Sequence, residues 1–155
     1  MRDRRGLGGA KCLALLFVLC LPVRVLAVGG EPAPAPVAPR SAEAEYTQGL
    51  QSKAAKRFPE AIGRFRRAVE LRPGYPEAWN ELGFALRQTG QYGEALKAYD
   101  QALRLRPNYP EALEYLGEAY VKLGRLEDAR AILSQLTALD TARARELEEA
   151  IRAGK

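Results

Sequence analysis

Histidine is absent from the 155 residues, and the two cysteines, Cys12 and Cys20, both fall within the first 27. From Val28 onward the chain offers neither an imidazole nor a thiol. A Ser-His-Asp triad, a Cys-His dyad, a disulfide and the commonest zinc sites are thereby excluded from that part. Carboxylates remain, but they recur at corresponding positions of a repeated pattern, as solvated helix faces do. The expectation is a protein that is not an enzyme and has no metal site and no cofactor.

An excess of one charge is also lacking once the chain is divided. The formal charge is +5, from 24 basic and 19 acidic residues. Residues 1–27 hold five of the bases (Arg2, Arg4, Arg5, Lys11, Arg24) and one acid (Asp3), which leaves 19 and 18 for the remainder. A near-neutral remainder carries no broad phosphate-binding surface, so nucleic acid is not an expected partner.

What is present begins with a basic start and ten uninterrupted apolar residues, Cys12 to Leu21, followed by Pro22 and the small-residue ending Val25-Leu26-Ala27. This resembles a secretory signal peptide over 1–27, with cleavage after Ala27 and export to a periplasmic or other extracytoplasmic space. Ten apolar residues are too few for a membrane helix, which needs about 20. Lipidation at Cys20 and an uncleaved, membrane-anchoring segment are the alternatives; a membrane is met only through this segment. Residues 28–41 carry Pro32, Pro34, Pro36 and Pro39. Proline at that density blocks helix and sheet and favours an extended polyproline-II linker of about 3.1 Å per residue.

From residue 42 the text repeats with a period of 34. The clearest unit, 76–109, places Trp79, Leu82, Gly83 and Leu86 in a first helix, Ala95, Tyr99 and Ala102 in a second, and Pro107 after it. Unit 110–143 repeats the opening as Pro110-Glu111-Ala112-Leu113, Leu116-Gly117 and Tyr120, then diverges with Leu133, Leu136 and Thr141. Unit 42–75 is worn at its front, where Glu45 and Gln48 replace the Trp and Leu, and faithful behind through Ala61, Phe65, Ala68 and Pro73. Pro76 and Pro110 suit first helical turns, and Gly90 and Gly124 suit left-handed C-caps; Lys56 stands at the corresponding place of the first unit. The predicted helices are 42–54, 58–71, 76–89, 92–105, 110–123 and 126–139. A final amphipathic segment, 140–155, with Leu147 and Ile151 on one face, reads as a capping helix or else a partner-binding one.

The spacing resembles the tetratricopeptide repeat, with its W-x-x-L-G-x-x-Y, A-x-x-x-F and terminal P. The resemblance implies an all-α, antiparallel helix-turn-helix solenoid of about three units plus the C-terminal helix. Gly83 and Gly117 would then receive a side chain from the paired helix, and Trp79, Phe65 and Tyr99 would fill the space between pairs, with Trp79→Ala costing roughly 3–5 kcal/mol.

The same resemblance implies a protein-protein interaction module, or scaffold, that binds a partner peptide or helix in a concave groove lined by the first helix of each pair. The groove positions are Glu43, Tyr46, Thr47, Leu50 and Lys53; Glu77, Asn80, Glu81, Phe84 and Arg87; Glu111, Glu114, Tyr115, Glu118 and Lys122. Six acids against three bases imply cationic or amide-rich partners, with Tyr46, Phe84 and Tyr115 as anchors, and charge reversal of Glu114 and Glu118 as the test. Well-known members grip a terminal carboxylate with Lys and Asn; a Tyr, Asn80 and Glu114 stand here instead. A homo-oligomer built by end-on stacking is the structural alternative.

Overall fold

Helix punctuation sets the architecture. The structure, a computed structural model, describes residues 41–154. The signal-peptide and linker expectations, with Cys12 and Cys20, lie outside the described residues. Seven helices follow: α1 (Ala42–Ala54), α2 (Phe58–Leu71), α3 (Pro76–Gln88), α4 (Tyr92–Leu105), α5 (Pro110–Lys122), α6 (Leu126–Thr137) and α7 (Thr141–Ala153). Ser41 caps α1 by accepting from the Ala44 amide at 3.1 Å. Proline opens α3 and α5, where its missing N–H costs nothing. Pro73 and Pro107 follow the C-caps of α2 and α4.

The turns inside the pairs are left-handed at one residue each: Gly90 (φ 77°), Gly124 (φ 70°) and, in the first unit, Lys56 (φ 56°). Lys56 takes the same conformation without glycine's freedom. Boundaries agree with the sequence reading to within two residues; α6 ends at Thr137, two residues early, because Asp140 claims the next turn as the N-cap of α7.

Helices pack in sequential pairs, and each pair packs on the next. The backbones of α1 and α3, and of α3 and α5, also come within contact distance, whereas those of α2 and α4, and of α4 and α6, do not. The array therefore bends toward the side carrying α1, α3 and α5. Phe65 and Tyr99 are completely buried at its centre with Ala61, Ala95 and Ala98 around them. A Cβ on Gly49 would lie 2.5 Å from the Phe65 ring, and one on Gly83 would lie 2.6 Å from the Tyr99 ring. The bare backbone is the notch that admits each ring.

Two expectations need correction. At Gly117 the occupant is not a side chain of the paired α6: Leu147 of α7 lies 2.5 Å from where a Cβ would stand. Leu133, which occupies Tyr99's sequence position, is too short to cross and stays half-buried against a second cluster of Leu113, Leu136, Leu147 and Ile151. Trp79 likewise is not the central filler. It is half-buried, and its indole Nε1 donates to the Pro73 carbonyl at 2.8 Å, pinning the connection between α2 and α3. The loss of roughly 3–5 kcal/mol belongs to Phe65 and Tyr99, whose burial is complete.

Candidate functional site

The inner face is built from residues that helical spacing sets on the same side of α1, α3 and α5. Aromatic rings run along it. Tyr46 meets Tyr75 at 4.9 Å and Phe65 at 5.9 Å between centroids. Phe84 meets Tyr115 at 5.2 Å and Phe58 at 6.3 Å. Tyr46, Leu50, Phe84, Arg87, Glu111, Tyr115 and Glu118 are half-buried, so each keeps part of its surface for a ligand.

Asn80, Glu81 and Glu114 do not. Asn80 is completely buried, with neither amide atom hydrogen-bonded within the protein. Glu81 is buried beneath Lys53, whose Nζ donates at 2.5 Å; burial nonetheless raises its carboxyl above the ordinary value, against the pull of that ammonium. Glu114 is buried and holds the guanidinium of Arg143 on α7. Charge reversal there would expel Arg143 and disturb α7, so it tests folding rather than ligand binding.

The face is also less acidic than its own residues suggest, because arginines arrive from elsewhere. Arg72, at the end of α2, pairs with Glu43 at 2.5 Å and lies 3.6 Å over the Tyr75 ring. Arg106, at the end of α4, pairs with Glu77 and lies 4.5 Å over Tyr109. Arg87 pairs with Glu118 at 2.8 Å and stacks on Phe84 and Tyr115 at 5.4 and 5.3 Å. Thr47 is turned back on its own helix, donating to the Glu43 carbonyl at 2.8 Å. Lys122 is exposed at the far end, beside a small cleft of about 260 Å³ between Arg87, Glu118 and α7. The arginine partners were missed by reading one helix at a time. The signal was available as a spacing: Glu43 to Arg72 and Glu77 to Arg106 are both 29 residues.

Burial and the surrounding carboxylates hold the tyrosines protonated. Burial first, then Glu111 and Glu81, push Tyr115 up to about 12; Tyr109 is pushed to about 12 by burial, then by Glu111 and Glu77. Tyr46 is raised further, by burial and Glu81. At neutral pH the face thus presents neutral rings with hydroxyl donors among carboxylates. No three acidic side chains among the described residues are placed to hold a metal ion.

A larger cleft, about 790 Å³, opens on the other side, between α2 and α4. Trp79, Leu82 and Leu86 of α3 form its floor, and the Arg66–Glu94 pair spans its rim at 2.6 Å. It follows from the bend that separates these two helices.

Family models described as TPR repeat and tetratricopeptide repeat match residues 85–124, 65–97 and 111–141. Many solved structures share the fold. The first TPR of Spaghetti (RPAP3) bound to the HSP90 peptide SRMEEVD superposes with a TM-score of 0.68 at 21% identity, covering 73% of this chain and 92% of that one. The Arabidopsis OM64 TPR domain gives 0.70 at 17% identity, covering 74% and 97%. The TPR2B-domain:pHsp70 complex of yeast Sti1 gives 0.68 at 18% identity, covering 73% and 94%. At these identities the likeness is one of fold. No curated protein matches the sequence.

Proposed function

Because the chain belongs to the tetratricopeptide-repeat family, we propose that it is a protein-protein interaction module that holds an extended peptide or helix of a partner on its inner face. The observation that carries this reading is the half-buried series Tyr46, Phe84 and Tyr115, whose rings lie along the inward-bent side with hydroxyls and charges between them. Partly exposed aromatics flanked by polar groups are what interface hot spots are made of. Of the similar folds named above, one is described with a bound peptide and another in a pHsp70 complex, which supports a peptide as the ligand class. Binding rather than catalysis is the role that suits a face without imidazole or thiol. The basic-apolar-small order of residues 1–27 supports export and an extracytoplasmic place of work.

A crosslinked pull-down from the extracytoplasmic fraction, with the mature N-terminus sequenced, tests both halves. The expected result is a partner captured by the wild type and lost in Phe84→Ala with helicity retained, on a chain beginning near Val28. Undiminished capture by Phe84→Ala would sink the inner-face reading, and a chain found only in the cytoplasm with Met1 intact would sink export.

A further inference from the structure

The units repeat more than their hydrophobic core. In the first, Glu43 at the start of the first helix holds Arg72 from the end of the second, and Arg72 lies over Tyr75. The second repeats this 34 residues on with Glu77, Arg106 and Tyr109. In the third, the corresponding residues are Glu111, Asp140 and Arg143. The arginine has become an acid. Asp140 is committed to capping α7, accepting from the Ala142 and Arg143 amides at 3.0 and 3.1 Å. Arg143 is committed to Glu114, with its Nε 3.4 Å from Asp140.

Glu111 is thus the acid of this face that, among the described residues, makes no close ion pair, although Arg143 is near enough for the two charges to attract. It is half-buried, and its Oε1 accepts from the Tyr115 hydroxyl at 3.3 Å, which steadies the carboxylate. Asp140, Glu114 and Glu146 lie around Arg143, so the local balance is acidic.

We propose that Glu111 is the receptor for an arginine side chain of the partner segment, which completes in trans the Glu–Arg pair that the first two units make within the chain. Arginine rather than lysine fits, because both internal counterparts are guanidinium groups held by a carboxylate; the third unit has Arg143 where they have Tyr75 and Tyr109, so the ring beside the incoming group is that of Tyr115. The proposal rests on the inner face being the binding surface and narrows what it recognises there.

The test is a titration of the ¹⁵N-labelled full chain with N-acetyl-arginine methylamide, against the neutral citrulline and the lysine analogues. The expected result is saturable shifts at the Glu111, Tyr115 and Asp140 amides with the arginine probe, none with citrulline, weaker ones with lysine, and binding about tenfold weaker in Glu111→Gln. Equal shifts from citrulline, or unaltered binding in Glu111→Gln, would overturn it. Its failure is separable from that of the wider reading. Partner capture that survives Glu111→Gln but not Phe84→Ala overturns the arginine receptor alone.

Discussion

At the scale of single residues, the fold turns on notches and the side chains that fill them. Gly83 admits a rigid ring, whereas Gly117 admits the branched end of Leu147. A methyl at either position gains about 1 kcal/mol of helix propensity and meets overpacking that typically costs about 1–3 kcal/mol. Both side chains are at zero exposure, so the difference is one of stiffness: the Tyr99 ring is rigid, whereas the Leu147 methyls are carried on rotatable bonds. Gly83→Ala should therefore lower the denaturation midpoint clearly, and Gly117→Ala should leave it nearly unchanged. Equal losses in urea titrations would show that Leu147 is as fixed as the ring. The need for small residues here was legible in the sequence, and so was the ring at Tyr99. The weight given to Trp79 was misplaced because a motif position tells which residue is large, not how much of it the neighbouring helices cover.

At the scale of elements, the helices were legible nearly to the residue, because proline and glycine mark both ends of most of them. Lys56 shows the one turn where that punctuation is missing while the geometry is kept. A left-handed conformation costs a residue with a Cβ about 1 kcal/mol or more, part of which glycine returns through its greater freedom when unfolded. Lys56→Gly should consequently stabilise the protein by about 0.5 kcal/mol, seen as a higher melting temperature in circular dichroism. A lower one would mean that the Lys56 side chain makes up for its backbone strain. The ion pairs were the illegible part of the inner face. Charges counted along one helix describe its own face, but Arg72, Arg106 and Arg143 reach it from the following elements. Only alignment of the units at 29-residue offsets exposes them, and the same alignment singles out Glu111.

At the scale of the whole molecule, the last unit is completed by α7. Leu147 and Ile151 are buried against α5 and α6, and each is worth about 1.5–3 kcal/mol. That is a large share of the 5–15 kcal/mol typical of such a domain. A chain stopped after Asp140 should lose its cooperative melt or melt many degrees lower, with Leu113 and Leu136 uncovered. A melt shifted by only a degree or two would show that the three pairs stand without it. The substitution of Leu147 for a ring on the paired helix also fixes where this array can be lengthened. Units one and two both close on Leu-Arg-Pro-x-Tyr-Pro, so the joints at Pro76 and Pro110 are interchangeable. The C-terminal end is not, because the cavity beside Gly117 is already filled by the piece that terminates the array. A duplicated 34-residue unit would splice in at Pro110 and be received on both sides, but the same unit appended at the end would find its place taken. The protein grows from the middle, like a telescope whose last tube carries the lens.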